Sequence, residues 1–127
     1  MKPKNFVIPL IVYPFDVMVS FGQTDEELLK NLSKCLTIEQ IKNKELWSDN
    51  EKDGRTVIFA SGQTLIRMPK IPKSAKEYGT LQHEIFHAIE FVLSRIGMTL
   101  CDKSDEAYAY LIGYLTTEIY KRINVSF

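Results

Sequence analysis

The sequence has few of the residues from which metal and redox sites are built. Its 127 residues include two cysteines and two histidines, with no C-x-x-C pair. Cys35 and Cys101 stand 66 positions apart, which argues against a cysteine zinc site and against a disulfide scaffold. We expect two free, buried thiols in a reducing compartment, the cytoplasm. Any site that uses histidine chemistry must use one or both of the two histidines.

Net charge and long apolar runs are lacking as well. The 16 Lys and Arg residues balance 16 Asp and Glu residues, so no global positive field favours nucleic acid or an anionic membrane as a partner. Residues 6–19 are mostly apolar, but two prolines and Asp16 interrupt them and they are too short to span a bilayer. We interpret this segment as strand and not as a signal peptide.

The composition is otherwise that of an ordinary globular protein. Hydrophobic residues make up 45% of the chain and aromatic residues 11%, which excludes disorder as the overall state. The length predicts one domain that spans residues 1–127.

Four segments have the pattern of strands. Apolar and polar residues alternate over 15–21, which predicts a half-buried strand, whereas residues 7–12 are apolar on both faces. Pro14 lies between these segments, so they form either one bent strand or two strands. Residues 55–60 and 64–68 flank Ser61-Gly62-Gln63 and predict a hairpin.

Helix starts are indicated by three capping signatures, which are Thr24 with Glu27, Thr37 with Gln40, and Ser74 with Glu77. The second helix is expected to end near residue 46, and the third near Gly97, with Thr80 as an alternative start. A last helix is predicted to start near residues 102–104 and to run to about residue 123, with Gly113 allowing close packing. This order predicts an α+β fold with a short, mostly antiparallel sheet packed on an N-terminal, a central and a C-terminal helix.

Both histidines occur in one segment of the third helix, His83-Glu84-Ile85-Phe86-His87. Positions four apart on a helix differ by about 40° in direction, so the two imidazoles can aim at one point. Such a pair suits tetrahedral zinc with Zn–N distances of about 2.0–2.1 Å. Glu84 leaves this direction by about 100°, so it can reach a water molecule as a general base without binding the metal.

This H-E-x-x-H pattern resembles that of the zincin metallopeptidases, in which the two histidines bind zinc and the glutamate activates water. The resemblance implies a small zincin-like domain in which His83 and His87 bind Zn²⁺ and Glu84 is the catalytic base. Two protein nitrogens do not complete such a site, so a third ligand is expected.

Glu106 is the first candidate for the third ligand. It follows His87 with 18 residues between, and this H-E-x-x-H-x18-E spacing is similar to that of the gluzincins, whose third ligand is a glutamate on a following helix. Residues 105–109, Asp-Glu-Ala-Tyr-Ala, look similar to the Glu-Ala-rich context of that ligand. Asp105 is interpreted as a residue that complements the helix macrodipole.

Other residues are alternatives or helpers. Glu90 lies on the same stripe as the histidines and either orients an imidazole or replaces Glu106 as the ligand. Cys101 is a further alternative ligand. Because tyrosines assist the oxyanion in some gluzincins, the resemblance makes candidates of three tyrosines that could equally belong to the core: Tyr78, Tyr108 and Tyr110.

The resemblance implies a zinc-dependent endopeptidase that acts on a protein or peptide substrate, although Mn, Fe or Co suits similar ligands. The chain is more similar to the minimal zincins of bacterial and phage genomes, which include repressor-cleaving regulators, than to the large gluzincins. The alternative is a non-catalytic, zinc-stabilised structural or binding module of phage or mobile-element origin. In zincins the substrate pairs with a sheet edge just before the active-site helix, here residues 64–68 or their partner 55–60.

Overall fold

The computed structural model describes residues 3–11, 13–42 and 53–123 and confirms the α+β fold. Four strands and four helices follow one another in these residues: β1 (Lys4–Pro9), β2 (Asp16–Phe21), α1 (Asp25–Leu32), α2 (Ile38–Lys42), β3 (Arg55–Ile58), β4 (Thr64–Met68), α3 (Ala75–Arg95) and α4 (Asp105–Arg122). The expected end of the second helix, near residue 46, lies outside the described residues, whereas the last helix ends at Arg122 with Ile123 as its C-cap, as predicted.

The four strands form one mixed sheet with the order β1-β2-β4-β3. The pairs β1–β2 and β3–β4 are antiparallel, whereas β2 and β4 are parallel. The hairpin prediction is therefore confirmed, and the segments on either side of Pro14 are two strands. The order leaves β1 and β3 at the edges and places β4 in the interior.

The burial of the first two strands differs from the expectation. β2 is buried on both faces, because Val17, Val19 and Phe21 face α3 and α4 while Met18 faces a second core formed with α1. β1 is instead the half-buried strand, with Val7 49% exposed. The prediction that residues 15–21 form a half-buried strand was wrong because burial here follows position in the sheet, and β2 is central while β1 is an edge.

Ser74, and not Thr80, caps the helix that carries both histidines. The Glu77 backbone N–H donates to the Ser74 hydroxyl, and the Glu77 carboxylate accepts from the Ser74 backbone N–H. The same carboxylate pairs with Lys70 at 2.8 Å. Hydrogen bonds from Lys70 and from the N–H groups at the cap lower the pKa of Glu77 to about 2. The helix then continues through Gly79 to Arg95, as expected.

Gly113 does not have the packing role that we expected. It is exposed in the middle of α4, and a Cβ atom added there would have nothing within 4 Å. Its absence of a side chain therefore only weakens the helix.

The substitution Gly113→Ala should therefore raise the free energy of unfolding by about 1 kcal/mol, since alanine has the higher helix propensity. Urea denaturation measures this change. Gly97→Ala is the matched control, because Gly97 follows α3 at φ +81°, where alanine is strained and should lower stability. A loss of stability in Gly113→Ala would show that the position has a close neighbour after all.

Candidate active site

The packing of α3 on the sheet leaves the two histidines on its outer side. The buried side chains recur every three or four residues along the helix, and they include Leu81, Ile85, Ala88, Ile89 and Val92. His83 lies outside this stripe and is exposed, and His87 is half-buried. The hydrophobic pattern thus fixes the rotation of the helix that presents both imidazoles to solvent.

The two imidazoles face each other through the same ring atom. Nε2 of His83 and Nε2 of His87 are 3.1 Å apart, and the ring planes are inclined at 79°. At Zn–N distances of about 2.05 Å, this separation corresponds to an N–Zn–N angle of about 100°, close to the tetrahedral value of about 109°. The pair therefore fits two ligands of one zinc ion. Without a metal, the same separation allows one ring to donate an N–H hydrogen bond to the other.

The other nitrogen of His87 faces a carboxylate. Its Nδ1 lies 4.0 Å from Oε1 of Glu90, which is beyond hydrogen-bond distance but close enough for an electrostatic contact. The Phe91 ring stacks on the imidazole at 6.4 Å between centroids. Neither contact is a hydrogen bond to the ring, so the orienting role that we considered for Glu90 stays a prediction.

Glu84 points to the opposite side of the pair from Glu90, towards strand β3. It is only 7% exposed, and the hydroxyl of Thr56 donates to its Oε1 at 2.6 Å. Gly54 lies so close that an added Cβ would be 3.1 Å from Cγ and 3.3 Å from Oε2 of Glu84. Among the residues that the structure describes, no hydrogen-bond donor contacts Oε2.

A cleft of about 430 Å³ opens beside this carboxylate. One wall consists of Asp53 and Gly54 ahead of β3, and the other consists of α3 residues from Lys76 to Glu84, including His83. A second cleft of about 180 Å³ shares Asp53, Lys76 and Thr80 with the first and leads to the beginning of α3. Glu84 and one candidate ligand, His83, thus border the same cleft.

Glu106 is not grouped with the histidines in this structure. It is exposed in the first turn of α4. The buried Leu115 follows nine positions later and lies on the opposite side of the helix, because nine residues advance the direction by about 180°. No group of three or more His, Cys, Asp or Glu side chains suited to a metal occurs within residues 3–11, 13–42 and 53–123. Glu106 therefore stays a prediction as the third ligand, and Asp105 lies in the same exposed turn, as the macrodipole interpretation expects.

The candidate tyrosines differ in their surroundings. Tyr108 is 3% exposed and its hydroxyl donates to the backbone carbonyl of Met98, so it belongs to the core. Tyr78 packs edge-on against Tyr120. Tyr110 is 72% exposed on α4, and no contact links it to the histidine pair.

Both thiols are free, but neither is buried as we expected. Cys101 lies in the loop between α3 and α4, where a hydrogen bond with the Ser104 side chain and one with the Lys103 backbone lower the pKa of its thiol. Cys35 follows α1 on the opposite side of the sheet from α3, with Sγ 3.6 Å from Sδ of Met18. Exposure arises because both residues sit in turns after helices, where no element covers them.

Only one of the two predicted substrate strands is an edge strand of the described sheet. β4 pairs with β2 on one side and with β3 on the other, so it cannot accept a further strand. β3 pairs with β4 alone in the described sheet, and its Thr56 touches the helix beside Glu84. Residues 64–68 are therefore the wrong alternative, and β3 remains as the candidate edge.

Sequence patterns did not reveal Thr56 or Gly54. Asp53-Gly54 has the signature of a turn and Thr56 that of an ordinary strand residue, because nothing local shows that β3 lies against α3. A carboxylate within an apolar helix, at Glu84, was the available signal that a hydroxyl or amide partner had to exist.

Within the described residues, no helix combines the length and the apolar character that crossing a membrane requires. No protein-family model matches the chain, and no curated protein or solved structure matches it either.

Proposed function

We propose that this chain is a zinc-dependent peptidase in which His83 and His87 bind the metal and Glu84 is the general base. The observation that carries the proposal is the pair of Nε2 atoms 3.1 Å apart on the same helix as the buried Glu84 carboxylate, which borders a cleft together with His83. A buried carboxylate is costly unless it is compensated, and a catalytic role explains why no donor among the described residues contacts the second oxygen of this one.

Zinc in such a site supplies a Lewis acid that lowers the pKa of water to about 7 and polarises a carbonyl group. The residues of the chain supply binding, orientation and proton transfer. Glu84 takes the proton that the attacking water loses and delivers it to the leaving amine. The Glu90 carboxylate attracts the Nδ1 side of the His87 ring, and this attraction keeps Nε2 of that ring turned towards His83.

The proposed substrate is an extended segment of protein or peptide. It pairs with the edge of β3 that does not face β4 in the described sheet. Backbone hydrogen bonds at a sheet edge bind many sequences alike, and they would bring the scissile bond to the cleft between β3 and α3. The cytoplasm is the proposed compartment, because exposed unpaired thiols persist best under reducing conditions.

We further propose Glu106 as the third ligand, on the support of its spacing from His87. The substitution Glu106→Ala should then weaken zinc binding by more than about a hundredfold, whereas Glu90→Gln should weaken it by about tenfold to a hundredfold, as expected for a residue that only orients a ligand. Competition titration against a fluorescent zinc chelator measures both. A Glu106→Ala protein with the zinc affinity of the parent would exclude Glu106, and a larger loss in Glu90→Gln would assign the ligand to Glu90.

The proposed function is tested by incubating the zinc-loaded protein with unfolded, fluorescein-labelled casein. We expect cleavage that a chelator stops and that added zinc restores. A protein that binds zinc but cleaves neither casein nor a broad peptide library would instead favour the non-catalytic zinc module.

A further inference from the structure

We propose that Thr56 is a positioning residue that holds one oxygen of the Glu84 carboxylate, so that the other oxygen alone is presented to the cleft. This inference rests on the proposed role of Glu84 as the general base. Thr56 lies on β3, 28 positions before Glu84 in the chain, and its hydroxyl is within reach of both the Glu84 carboxylate and the Glu84 backbone carbonyl.

The geometry of this contact is that of a strong hydrogen bond. The distance of 2.6 Å between Oγ1 of Thr56 and Oε1 of Glu84 falls within the range of about 2.5–2.7 Å for a hydroxyl that donates to a carboxylate. The side chains of a strand alternate between faces, and Val57 belongs to the core on the α1 side. Thr56 is thereby directed towards α3, and the strand register fixes its hydroxyl opposite Glu84.

The contact gives the two oxygens of the Glu84 carboxylate different surroundings. Oε1 is occupied by Thr56, and Oε2 has no hydrogen-bond partner in the described part of the chain. A side chain at position 54 would crowd Cγ and Oε2 of Glu84, so the glycine at this position leaves space beside Oε2. A carboxylate that is held at one oxygen meets a smaller entropic cost when it takes a proton at the other.

The contact also joins the base to the strand that would bind the substrate. β3 is an edge strand of the described sheet, and the hydroxyl of its Thr56 lies within hydrogen-bond distance of Glu84 on α3. A peptide that pairs with β3 is then placed in a fixed relation to the Glu84 carboxylate. Loss of the hydroxyl should therefore lower kcat more than it changes KM.

The test compares Thr56→Val, which keeps the shape and the β-propensity but removes the hydroxyl, with Thr56→Ser, which keeps the hydroxyl. Kinetics are measured on a fluorogenic peptide that the zinc-loaded parent cleaves. We expect Thr56→Val to lower kcat by about tenfold to a hundredfold, with KM and bound zinc as in the parent. Thr56→Ser should recover most of the lost kcat. A parental kcat in Thr56→Val, or a Thr56→Ser protein as slow as Thr56→Val, would overturn the proposal.

A second readout does not depend on turnover. In metal-free protein labelled with ¹³C at the glutamate carboxyl groups, the signal that disappears in Glu84→Gln identifies Glu84. At one fixed pH this signal should shift in Thr56→Val and stay in place in Thr56→Ser. An unchanged signal in Thr56→Val would overturn the contact itself. An inactive parent would instead overturn the peptidase proposal, and the carboxyl signal would still decide whether Thr56 holds Glu84.

Discussion

Replacement of Glu84 by glutamine is expected to lower the rate of peptide cleavage by about 10²- to 10⁴-fold, the usual contribution of a general base. Glutamine keeps the size of the side chain, and its carbonyl oxygen can still accept the hydrogen bond that Thr56 donates to Oε1. It cannot take up a proton from water. The fold and the bound zinc should therefore persist while turnover is lost, and parallel measurements of cleavage rate and zinc content check both.

Glu26→Gln is the matched control for this change. Glu26 is exposed in the first turn of α1, on the far side of the sheet from α3, and the substitution removes the same charge. The control should cleave the substrate at the parental rate. A Glu84→Gln protein that is as active as the parent would contradict the assignment of Glu84 as the base.

Replacement of either histidine by alanine is expected to weaken zinc binding by more than about a hundredfold, because loss of a ligand should exceed the effect of losing a residue that only orients one. Zinc that binds only the folded protein should stabilise the parent by about 4 kcal/mol at a thousandfold excess over its dissociation constant. Thermal denaturation with and without zinc should show this gain in the parent and not in His83→Ala or His87→Ala.

Ser94→Ala is the control on the same helix. Ser94 is exposed seven positions after His87, so it shares the outer face of α3. Its variant should keep the zinc-dependent stabilisation. An equal gain from zinc in His87→Ala and in the parent would show that zinc binds elsewhere, and it would remove the basis of the proposed site.

Much of the local structure could be predicted from the sequence, because the signals that fix it are themselves local. Thr24 with Glu27 and Ser74 with Glu77 form the reciprocal hydrogen bonds of capping boxes. The pairing of Nε2 atoms also follows from a spacing of four residues on one helix, which involves no tertiary structure. The histidine pair was thus predictable to the level of facing side chains.

The sheet arrangement could not be predicted, because it depends on contacts between segments that are distant in the sequence. The parallel pairing of β2 with β4 joins residues such as Val17 and Thr64, and the hydrophobic periodicity of the sequence does not predict which strands pair. This pairing makes β2 central, excludes β4 as a substrate edge and sets β3 beside α3. The hydrogen bond from Thr56 to Glu84 is a product of the same arrangement, so this contact to the Glu84 carboxylate could not be derived from the motif.

The expectation for Gly113 failed because of its position on the surface of α4. Gly113 was expected to allow close packing, but α4 turns Leu111 and Leu115 inward and leaves Gly113 exposed. The same rotation makes Glu106 point away from the buried stripe. Spacing along the chain gives the number of residues between the histidines and a third ligand. The direction in which the side chain of that ligand points depends on how the two helices pack.

The most direct test of the proposed metal centre is the X-ray absorption spectrum of the zinc-loaded protein at the zinc edge. We expect scattering from two imidazole rings with Zn–N distances of about 2.0–2.1 Å, together with oxygen ligands. This result would identify His83 and His87 as ligands, since the chain contains no other histidine. A spectrum without imidazole scattering, or one dominated by sulfur at about 2.3 Å, would contradict the proposed site.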